Sequence, residues 1–592
     1  MPDKWRSAAR LVVQRDAISQ FQGARPLTDR ERAAHGKTFE EGWQLPGLLN
    51  SDKHQLHLLL PAEFPFAKPR VAVSPAEPVL TWPHLEEGGL LCVSEDEAPY
   101  SPENPAASVV WALKRARDLV NACLEGRGFE QFEDEFVSYW NLWARGQPVR
   151  SLCRPEGPSR FVRAWFGKSL TVIAENDESL QAWVEGFFAE QMERRNFTTR
   201  EIPFIWLETV PRPVDYPTSV GALLRLVKSD DISIALLEGL LRDQEASSKA
   251  VLFGCHTRQG VGLGAARISK PQAPRGGGDA LTKGGFRGLP PKSIFLARYS
   301  LAPVVGANVI RCDPSWIHGR DHNPASDILF RKSVVIFGVG SVGSSVATLL
   351  TKAGVGKITL VDPQALASEN TSRHELGANL VDTPKAVQLA KSLRQRFPHL
   401  AIEAEGKSWQ EYVRTKPEYC TCTDLIISTM GAWSQESELN AAVLESSPFT
   451  PILYGWTEQH AAAGHAVVFM DPTACLRCLT DDLGELRIPV TSWGSDTMKQ
   501  VPACGGSFQP YGAVELEHTN ALIAELAMGV LLGAIGVSTH RVWIGHRRTL
   551  EQAGGRWNRE WVEACFDPGV GGQMHEMGLS GDAQCPVCKA KE

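Results

Sequence analysis

Three glycines and an aspartate with the spacing of a nucleotide-binding turn lie in the second half of this 592-residue chain. The stretch VVIFGVGSVGSSVATLLTKAGVGKITLVD predicts a buried strand, a tight turn, a helix and a second strand. Gly338, Gly340 and Gly343 form the pattern G-x-G-x-x-G, and Asp362 ends the second strand. Glycines let backbone N–H groups approach a phosphate at a helix N-terminus, and the acid accepts from ribose hydroxyls. Alone, the motif does not distinguish NAD from FAD or ATP.

An amide, a guanidinium and an ammonium group follow the second strand. They belong to Asn370 and Arg373 in ENTSR and to Lys385 in TPKAV. Such groups suit a triphosphate with Mg²⁺, and no nicotinamide-side motif follows the first βαβ unit. Hydride transfer is therefore the weakest of the functions considered. Taken singly, Arg373 and Lys385 also fit solvated charges on a helix.

Two pairs of cysteines have the spacing of a zinc site. Cys475 and Cys478 form one C-x-x-C pair, and Cys585 and Cys588 form another near the C-terminus. Two such pairs complete a tetrahedral site of four thiolates with no open position, which is typical of structural Zn²⁺. A closed site would tie the C-terminal tail to the domain that precedes it. The alternative is four reduced, unpaired thiols.

Two further cysteines lie where a thiol would be reactive. Cys504 is in VPACGGSFQP, a glycine-rich loop before a helix, where the pKa of a thiol falls and the sulfur is exposed. Cys92 is in HLEEGGLLCV, eight residues after His84. An adenylate is an activated acid, and a cysteine thiolate is its natural acceptor. The alternative for either cysteine is a buried apolar residue, the usual position of free cysteine.

The composition indicates a cytoplasmic protein of several domains. The thirteen cysteines come without a secretion signal, which argues against a secreted protein with a disulfide framework. The net charge of −7 argues against broad binding to nucleic acid. No apolar run is long enough to predict a membrane-spanning helix. The other cysteines carry no pattern and are predicted to be structural: Cys123, Cys153, Cys255, Cys312, Cys420, Cys422 and Cys565.

The chain is predicted to be an α/β multidomain protein with domains at residues 1–145, 146–305 and 306–592. The first has an N-terminal amphipathic helix, strands in KHQLHLLL and PRVAVSP, and helical patterns in SVVWALKRARDLVNACL and FEQFEDEFVSYWNLW. The second is predicted as an α/β linker domain with strands in KAVLFGCHT and SIFLARYSL, a helix in ISIALLEGLLRDQ and a mobile loop at residues 271–291. The third alternates strands and helices around the nucleotide unit.

The order of glycine turn, strand-end Asp, Asn-x-x-Arg and Pro-Lys-Ala resembles the adenylation domain of the ubiquitin-activating (E1) family and its ThiF-like bacterial relatives. The resemblance covers about residues 306–540 and includes DPTACLRCLT and PACGGSFQPYGAVELEHTNALIAELAMGVLLG. It implies a Rossmann-like fold that binds ATP with Mg²⁺, and a homodimer. Gly431 departs from the family, which usually has an aspartate there for Mg-ATP. Arg320, in WIHGRDHNP, is either an arginine that reaches the triphosphate or a surface-loop residue.

The segment FPFAKPRVAVSPAEPVLTWPHLEEGGLLCVSEDEAPYSP resembles an α+β ubiquitin-conjugating (E2, UBC-like) domain. That family has a turn like FPFAKP, here residues 64–69, and a His-Pro-Asn signature whose Asn precedes the active cysteine by eight residues. Trp82, Pro83 and His84 replace the signature, so His84 stands where the family's Asn supports the oxyanion. The resemblance implies that Cys92 is the conjugating thiol and that His84 is either an oxyanion donor or a proton acceptor.

The two modules together resemble the bacterial E1–E2 fusion proteins of cyclic-oligonucleotide (CBASS) anti-phage systems. That resemblance implies that ATP activates a protein C-terminus, that Cys504 takes it as a thioester, and that Cys92 passes it to an acceptor lysine. The implied modifier is a cGAS-like nucleotidyltransferase or a ubiquitin-like protein, with no part for nucleic acid or membrane. Two alternatives stay open: a sulfur-carrier adenylyltransferase, which leaves residues 1–145 unexplained, and a non-catalytic scaffold, which the departures at His84 and Gly431 do not exclude.

Overall fold

The structure, a computed structural model, describes residues 2–36, 38–93, 100–188, 197–228, 230–243, 249–269, 292–420, 422–501 and 507–588. Its contacts divide the chain into two units. The first comprises residues 1–150, 154–171 and 200–310, and the second comprises residues 151–153, 172–199 and 311–592. The predicted loop at 271–291 lies outside the described residues, and the three predicted domain boundaries stay a prediction.

The N-terminal part of the first unit is an antiparallel sheet with helices packed on it. Its strands, in spatial order, are β1 (Arg25–Pro26), β2 (Phe39–Leu45), β3 (Gln55–Pro61), β4 (Arg70–Ser74) and β5 (Leu90–Leu91). Its helices are α1 (Pro2–Val12), α2 (Asp29–His35), α3 (Pro105–Leu124), α4 (Gln131–Asp134) and α5 (Phe136–Trp143). Strands direct alternate side chains to one face, so Leu56, Leu58 and Leu60 of β3 share a core with Val109 and Leu113 of α3.

The pattern FEQFEDEFVSYWNLW forms two short helices, because the chain leaves helical geometry at Glu135. Helix α5 is then held by its tryptophans. Trp140 Nε1 donates to the carbonyl oxygen of Ala307 at 3.1 Å. Trp143 fills the space over Gly306, where a Cβ would lie 2.1 Å from the indole ring. Close packing against a glycine therefore fixes the position of α5 and of Glu135 at its start.

The strands of the middle part close into a barrel, in the order β10-β11-β12-β6-β8-β7-β9. They are β6 (Gly146–Ser151), β7 (Arg160–Phe166), β8 (Thr171–Ala174), β9 (Thr199–Leu207), β10 (Lys249–Thr257), β11 (Gly260–Ile268) and β12 (Val304–Arg311). The helices of this part are α6 (Asp177–Phe188), α7 (Val220–Leu226), α8 (Asp231–Arg242) and α9 (Lys292–Tyr299).

The prediction of a strand in SIFLARYSL is wrong, since this segment forms α9. Leu296 and Tyr299, three positions apart, pack against the same apolar core. A short apolar run fits either a strand or one face of a helix, so its packing decided the outcome. None of the described helices combines the length and the apolar character needed to cross a bilayer.

The second unit contains a doubly wound sheet in the order β15-β14-β13-β16-β17-β18-β22-β24. Its strands and the short paired strands beside them are β13 (Ser333–Phe337), β14 (Lys357–Val361), β15 (Ala401–Glu405), β16 (Leu425–Ser428), β17 (Ile452–Thr457), β18 (Ala463–Phe469), β19 (Thr491–Trp493), β20 (Lys499–Gln500), β21 (Ser507–Phe508), β22 (Thr539–His546), β23 (Gly555–Trp557) and β24 (Gly571–Gly578). Its helices are α10 (Pro314–Gly319), α11 (Pro324–Phe330), α12 (Ser341–Ala353), α13 (Lys385–Arg396), α14 (Trp409–Thr415), α15 (Trp433–Leu444), α16 (Leu476–Leu479), α17 (Ala513–Leu531), α18 (Arg547–Gln552) and α19 (Arg559–Ala564).

The strand order of this sheet reverses beside β13. From β15 to β17 neighbouring strands are parallel, and from β17 to β24 they are antiparallel. The chain builds β14 and β15 on one side of β13 and then places β16 on the other. In open α/β sheets such a reversal leaves a crevice at the carboxyl ends of the two strands, which is where ligands bind.

Candidate functional site

The glycine turn after β13 closes because two glycines approach other groups more closely than a side chain would allow. Gly338 has a φ of 84°, and a Cβ on it would lie 2.8 Å from Met430 Cα. On Gly343 a Cβ would lie 2.0 Å from the carbonyl oxygen of Gly338. Gly340 faces open space and begins α12 without a side-chain cap. Among the described residues, no side chain caps the first N–H groups of α12, and such groups suit an anion.

Asp362, at the end of β14, stabilises this turn through hydrogen bonds to the backbone. Its Oδ2 accepts the N–H of Val339 at 2.7 Å, and its Oδ1 accepts the N–H of Gln364 at 2.8 Å. The side chain is buried. Asp362 thus fixes the backbone that would hold a phosphate, while its predicted contact with a ribose stays a prediction.

The two cations predicted for the nucleotide are not free surface charges. Lys385 is only 5% exposed, and its Nζ donates to Gln364 Oε1 at 3.0 Å. The guanidinium of Arg373 lies 4.7 Å from the centre of the Tyr511 ring. In the part of the chain that the structure describes, Arg373 Nε is buried and has no hydrogen-bond partner. An unsatisfied buried donor is costly, and a bound phosphate would satisfy it, so this residue fits a nucleotide.

Asn370 and Arg320 are less closely tied to the turn. Asn370 is half-buried, and its Oδ1 accepts the N–H of Ala367 at 3.3 Å. Arg320 is exposed just beyond α10, with a left-handed φ of 47°. Their predicted contacts with the triphosphate stay predictions.

A cavity of 460 Å³ opens at the carboxyl ends of β13 and β16, at the reversal of strand order. The described residues that line it include Gly340, Ser341, Thr429, Gly431, Glu436 and Tyr511. Gly431 has a φ of 63°, and its N–H donates to Glu436 Oε1 at 3.3 Å. Ser428 Oγ donates to the same oxygen at 2.9 Å, and burial raises the pKa of Glu436. The cavity therefore has a carboxyl group beside the glycine that replaces the expected aspartate.

Two residues that line this cavity, Tyr511 and Glu436, were not predicted from the sequence. Tyr511 Oη lies 3.3 Å from Ser341 Oγ while its ring contacts Arg373, so one side chain joins the glycine turn to the arginine. Glu436 lies on α15, one turn beyond Gly431. An acid shortly after Gly431 was the available signal for Glu436, whereas nothing local in QPYGA indicates Tyr511.

The four predicted metal ligands form one cluster. All four Sγ atoms lie within 4.8 Å of one another. The separation is 3.7 Å between Cys475 and Cys585 and 3.3 Å between Cys478 and Cys588. Tetrahedral Zn²⁺ with Zn–S bonds of about 2.3 Å places its sulfurs roughly 3.8 Å apart. The cluster fits zinc, and the identity of the metal stays a prediction.

Cys92 and His84 face each other across a short hairpin. The N–H of Cys92 donates to the carbonyl oxygen of His84 at 2.9 Å, and Leu85 pairs with Leu91 in the antiparallel sense. The eight-residue spacing therefore joins the two residues through their backbones, and both line the same cavity. Cys92 is exposed, so it is not a core residue.

A cavity of 480 Å³ in the first unit is lined by both residues. The N–H of His84 donates to Tyr139 Oη at 2.9 Å, and its Nδ1 lies 3.8 Å from Glu135 Oε2. Cys123 lines the same cavity, and burial raises the pKa of its thiol to about 11. Of the two thiols, Cys92 is thus the one open to solvent and to reaction.

Cys504 lies outside the described residues. The segments on either side of it form β20 and β21, with Gln500 opposite Ser507. Helix α17 begins shortly afterwards at Ala513. Of the cysteines predicted to be structural, the buried ones are Cys123, Cys153, Cys255 and Cys312, and the exposed ones are Cys422 and Cys565.

Two protein families match separate parts of the chain. The ThiF family matches residues 322–543, and Prokaryotic E2 family B matches residues 16–147. The nucleotide cavity and its glycine turn fall within the first match, and Cys92 with His84 falls within the second. One polypeptide therefore carries a segment that matches the ThiF family and a segment that matches Prokaryotic E2 family B, as the sequence predicts.

Two curated relatives that carry the same name match different lengths of this chain. The ATP-dependent ubiquitin transferase-like protein Cap2 of Pseudomonas aeruginosa is 25% identical over 494 residues, which cover 79% of this chain and 83% of that protein. The protein of the same name in Vibrio cholerae is 26% identical over 233 residues, covering 38% of this chain and 39% of that protein. A crystal structure of E. coli MccB aligns with a TM-score of 0.32 at 15% identity, over 45% of this chain and 69% of that chain.

Proposed function

We propose that this chain, an E1–E2 fusion enzyme with a ThiF-family domain and a prokaryotic E2 domain, uses ATP to activate the C-terminus of a modifier protein and conjugates it to an amine. The observation that carries the proposal is the exposed Cys92 thiol held opposite His84 in the E2-type module. The similarity to Cap2, whose name describes an ATP-dependent ubiquitin transferase-like protein, supports the same chemistry.

The first step activates a carboxylate, which is a poor electrophile. Its oxygen attacks the α-phosphorus of ATP, and the bond from that phosphorus to pyrophosphate breaks. The N–H groups of α12, with Arg373 and Lys385, would offset the phosphate charge. Mg²⁺, when bound, would offset further phosphate charge. Glu436 and Glu485, which line the cavity, are the carboxyl groups that would hold it.

In the next steps the acyl group is transferred to the sulfur of Cys504 and then to the sulfur of Cys92. The thiolate of Cys504 attacks the acyl carbonyl, and AMP leaves. The thiolate of Cys92 then attacks that thioester, an exchange near thermoneutrality that depends mainly on positioning. An amine finally attacks the thioester on Cys92, the C–S bond breaks and an amide forms. His84 supports this last step either as an oxyanion donor or as a proton acceptor.

The proposed modifier is a cGAS-like nucleotidyltransferase, the acceptor is a lysine of a target protein, and the enzyme is a homodimer. A second candidate function is adenylation of a sulfur carrier, which the ThiF match and the cysteine cluster favour. That function gives no role to the E2 match at residues 16–147 or to the exposed Cys92. Conjugation accounts for both modules and is therefore preferred.

ATP–pyrophosphate exchange with a purified modifier tests the adenylation step. We expect exchange with the intact modifier and none with a modifier that lacks its last residues, since the terminal carboxylate is the reacting group. Absence of exchange with every candidate carrier contradicts the proposal. The Cys504→Ala variant should retain exchange and fail to charge Cys92, and normal charging of Cys92 in that variant contradicts the order of the relay.

A further inference from the structure

The cavity beside Cys92 contains a carboxylate that the proposed mechanism leaves without a role. The charged residues in its described wall are Arg115, Asp118, Arg127, Asp134 and Glu135. Three of them have charged neighbours of their own: Asp118 pairs with Arg117, Arg127 with Glu125, and Asp134 with Arg258. Glu135 is placed differently, because its carboxylate lies 3.8 Å from the Nδ1 atom of His84. The acid nearest the imidazole is therefore Glu135.

His84 is held so that its ring can use this neighbour. Its N–H donates to Tyr139 Oη and its carbonyl oxygen accepts the N–H of Cys92, both at 2.9 Å. Its φ is 56°, a left-handed conformation that is uncommon for a residue with a side chain. Tyr139 is buried on α5, the helix that starts directly after Glu135. One fixed helix thus locates both the backbone of His84 and the carboxylate beside its ring.

We propose that Glu135 is a positioning residue that orients His84 as the general base for the acceptor amine, and that the 480 Å³ cavity receives that amine. This inference rests on the proposed function. A carboxylate that accepts from Nδ1–H leaves Nε2 as the basic nitrogen and stabilises the imidazolium once a proton is taken up. The distance of 3.8 Å is that of an ion pair, and contacts of this kind tighten in the reacting complex.

The step balances without a further reactant. The acceptor arrives as an ammonium group, and His84 Nε2 takes one proton from it, so that the neutral nitrogen attacks the carbonyl carbon of the thioester on Cys92. The C–S bond breaks, a second proton of that nitrogen passes to the Cys92 thiolate, the amide is released, and the proton on His84 passes to water. His84 is neutral again at the end, and the free thiol is restored. The substrate class is a primary amine on a side chain long enough to enter the cavity, as lysine is.

A direct loading experiment separates this inference from adenylation. The full-length protein is charged at Cys92 with a fluorescent peptide thioester ending in glycine, and the excess probe is removed. Discharge is then followed with L-lysine and with hydroxylamine, whose amine is already neutral at pH 7. We expect Glu135→Gln to load as the wild type does and to discharge to lysine about tenfold more slowly, with a much smaller change for hydroxylamine. Added imidazole should partly restore lysine discharge in His84→Ala.

Glu133→Gln is the matched control. Glu133 lies in the same segment and pairs with Arg212 at 2.6 Å, so its replacement removes the same charge away from His84. Lysine discharge in Glu135→Gln as fast as in Glu133→Gln overturns the inference and leaves the proposed function intact. Equal slowing with both nucleophiles also overturns it, because that result indicates a structural defect. Failure of the wild type to form any adduct at Cys92 contradicts the proposed function itself.

Discussion

The backbone N–H of Cys92 donates a hydrogen bond to the carbonyl oxygen of His84 at 2.9 Å. With Leu85 opposite Leu91, this bond closes a short hairpin. The two residues are eight positions apart in the sequence, and in the structure their backbones are hydrogen-bonded and both residues line one cavity. A histidine at this position keeps a hydrogen-bond donor beside the thioester and adds a basic nitrogen.

Replacing Gly343 with alanine should prevent the nucleotide turn from closing. The new Cβ would lie 2.0 Å from the carbonyl oxygen of Gly338, so the backbone has to move. We expect a loss of about 1–3 kcal/mol in the free energy of unfolding, together with loss of ATP–pyrophosphate exchange. Thermal unfolding and the exchange assay measure the two effects. Gly536→Ala is the control, because its Cβ meets open space and it lies outside the glycine turn, and equal behaviour of the two variants contradicts the prediction.

Replacing Arg373 with methionine should weaken ATP binding without unfolding the protein. Its buried Nε lacks a partner among the described residues, and a phosphate would supply one. A hydrogen bond to a charged group is worth about 1.5–3 kcal/mol, which corresponds to roughly 10- to 100-fold in affinity. Calorimetry with a non-hydrolysable ATP analogue measures the change. Arg396→Met, at an exposed position on α13, is the control, and the same affinity in both variants refutes the assignment.

Metal analysis of the purified protein should find one zinc ion per chain, held by the four clustered cysteines. Cys588→Ser removes one ligand, so we expect loss of zinc and a fall in Tm of roughly 5 °C or more. The C-terminal tail should become sensitive to protease, because the cluster joins Cys585 and Cys588 to the segment that contains Cys475. Cys565→Ser, which changes an exposed thiol outside the cluster, should have no such effect. Full zinc content in Cys588→Ser excludes this site.

Local patterns were sufficient to predict the parts of the sites that lie within one segment. The glycine turn follows from the spacing of Gly338 and Gly343, and the cysteine cluster follows from two C-x-x-C pairs. The same holds for β3, whose apolar stretch in KHQLHLLL forms a strand that is buried along nearly its whole length. In each case a few residues that are close together in the sequence determine the local structure by their type and spacing.

Residues that act through tertiary contacts were not predictable in this way. Glu135 reaches His84 only because the chain breaks helical geometry between α4 and α5. Tyr511 meets Arg373 from a separate segment of the fold, and Lys385 donates to Gln364, which lies 21 residues earlier in the chain. The barrel was also missed, since strand patterns indicate neither the order of strands nor closure.

The central claim is that an activated C-terminus is stored as a thioester on Cys92. Incubation of the full-length protein with ATP, Mg²⁺ and the modifier, followed by non-reducing electrophoresis and mass spectrometry, measures it directly. We predict an adduct on Cys92 with the mass of the modifier less one water, sensitive to a reducing agent, absent from Cys92→Ala and retained in Cys565→Ala. In Cys92→Ala the account predicts a thioester that peptide mapping assigns to Cys504, and the absence of any adduct on Cys92 in the wild type, under conditions that support pyrophosphate exchange, contradicts the account.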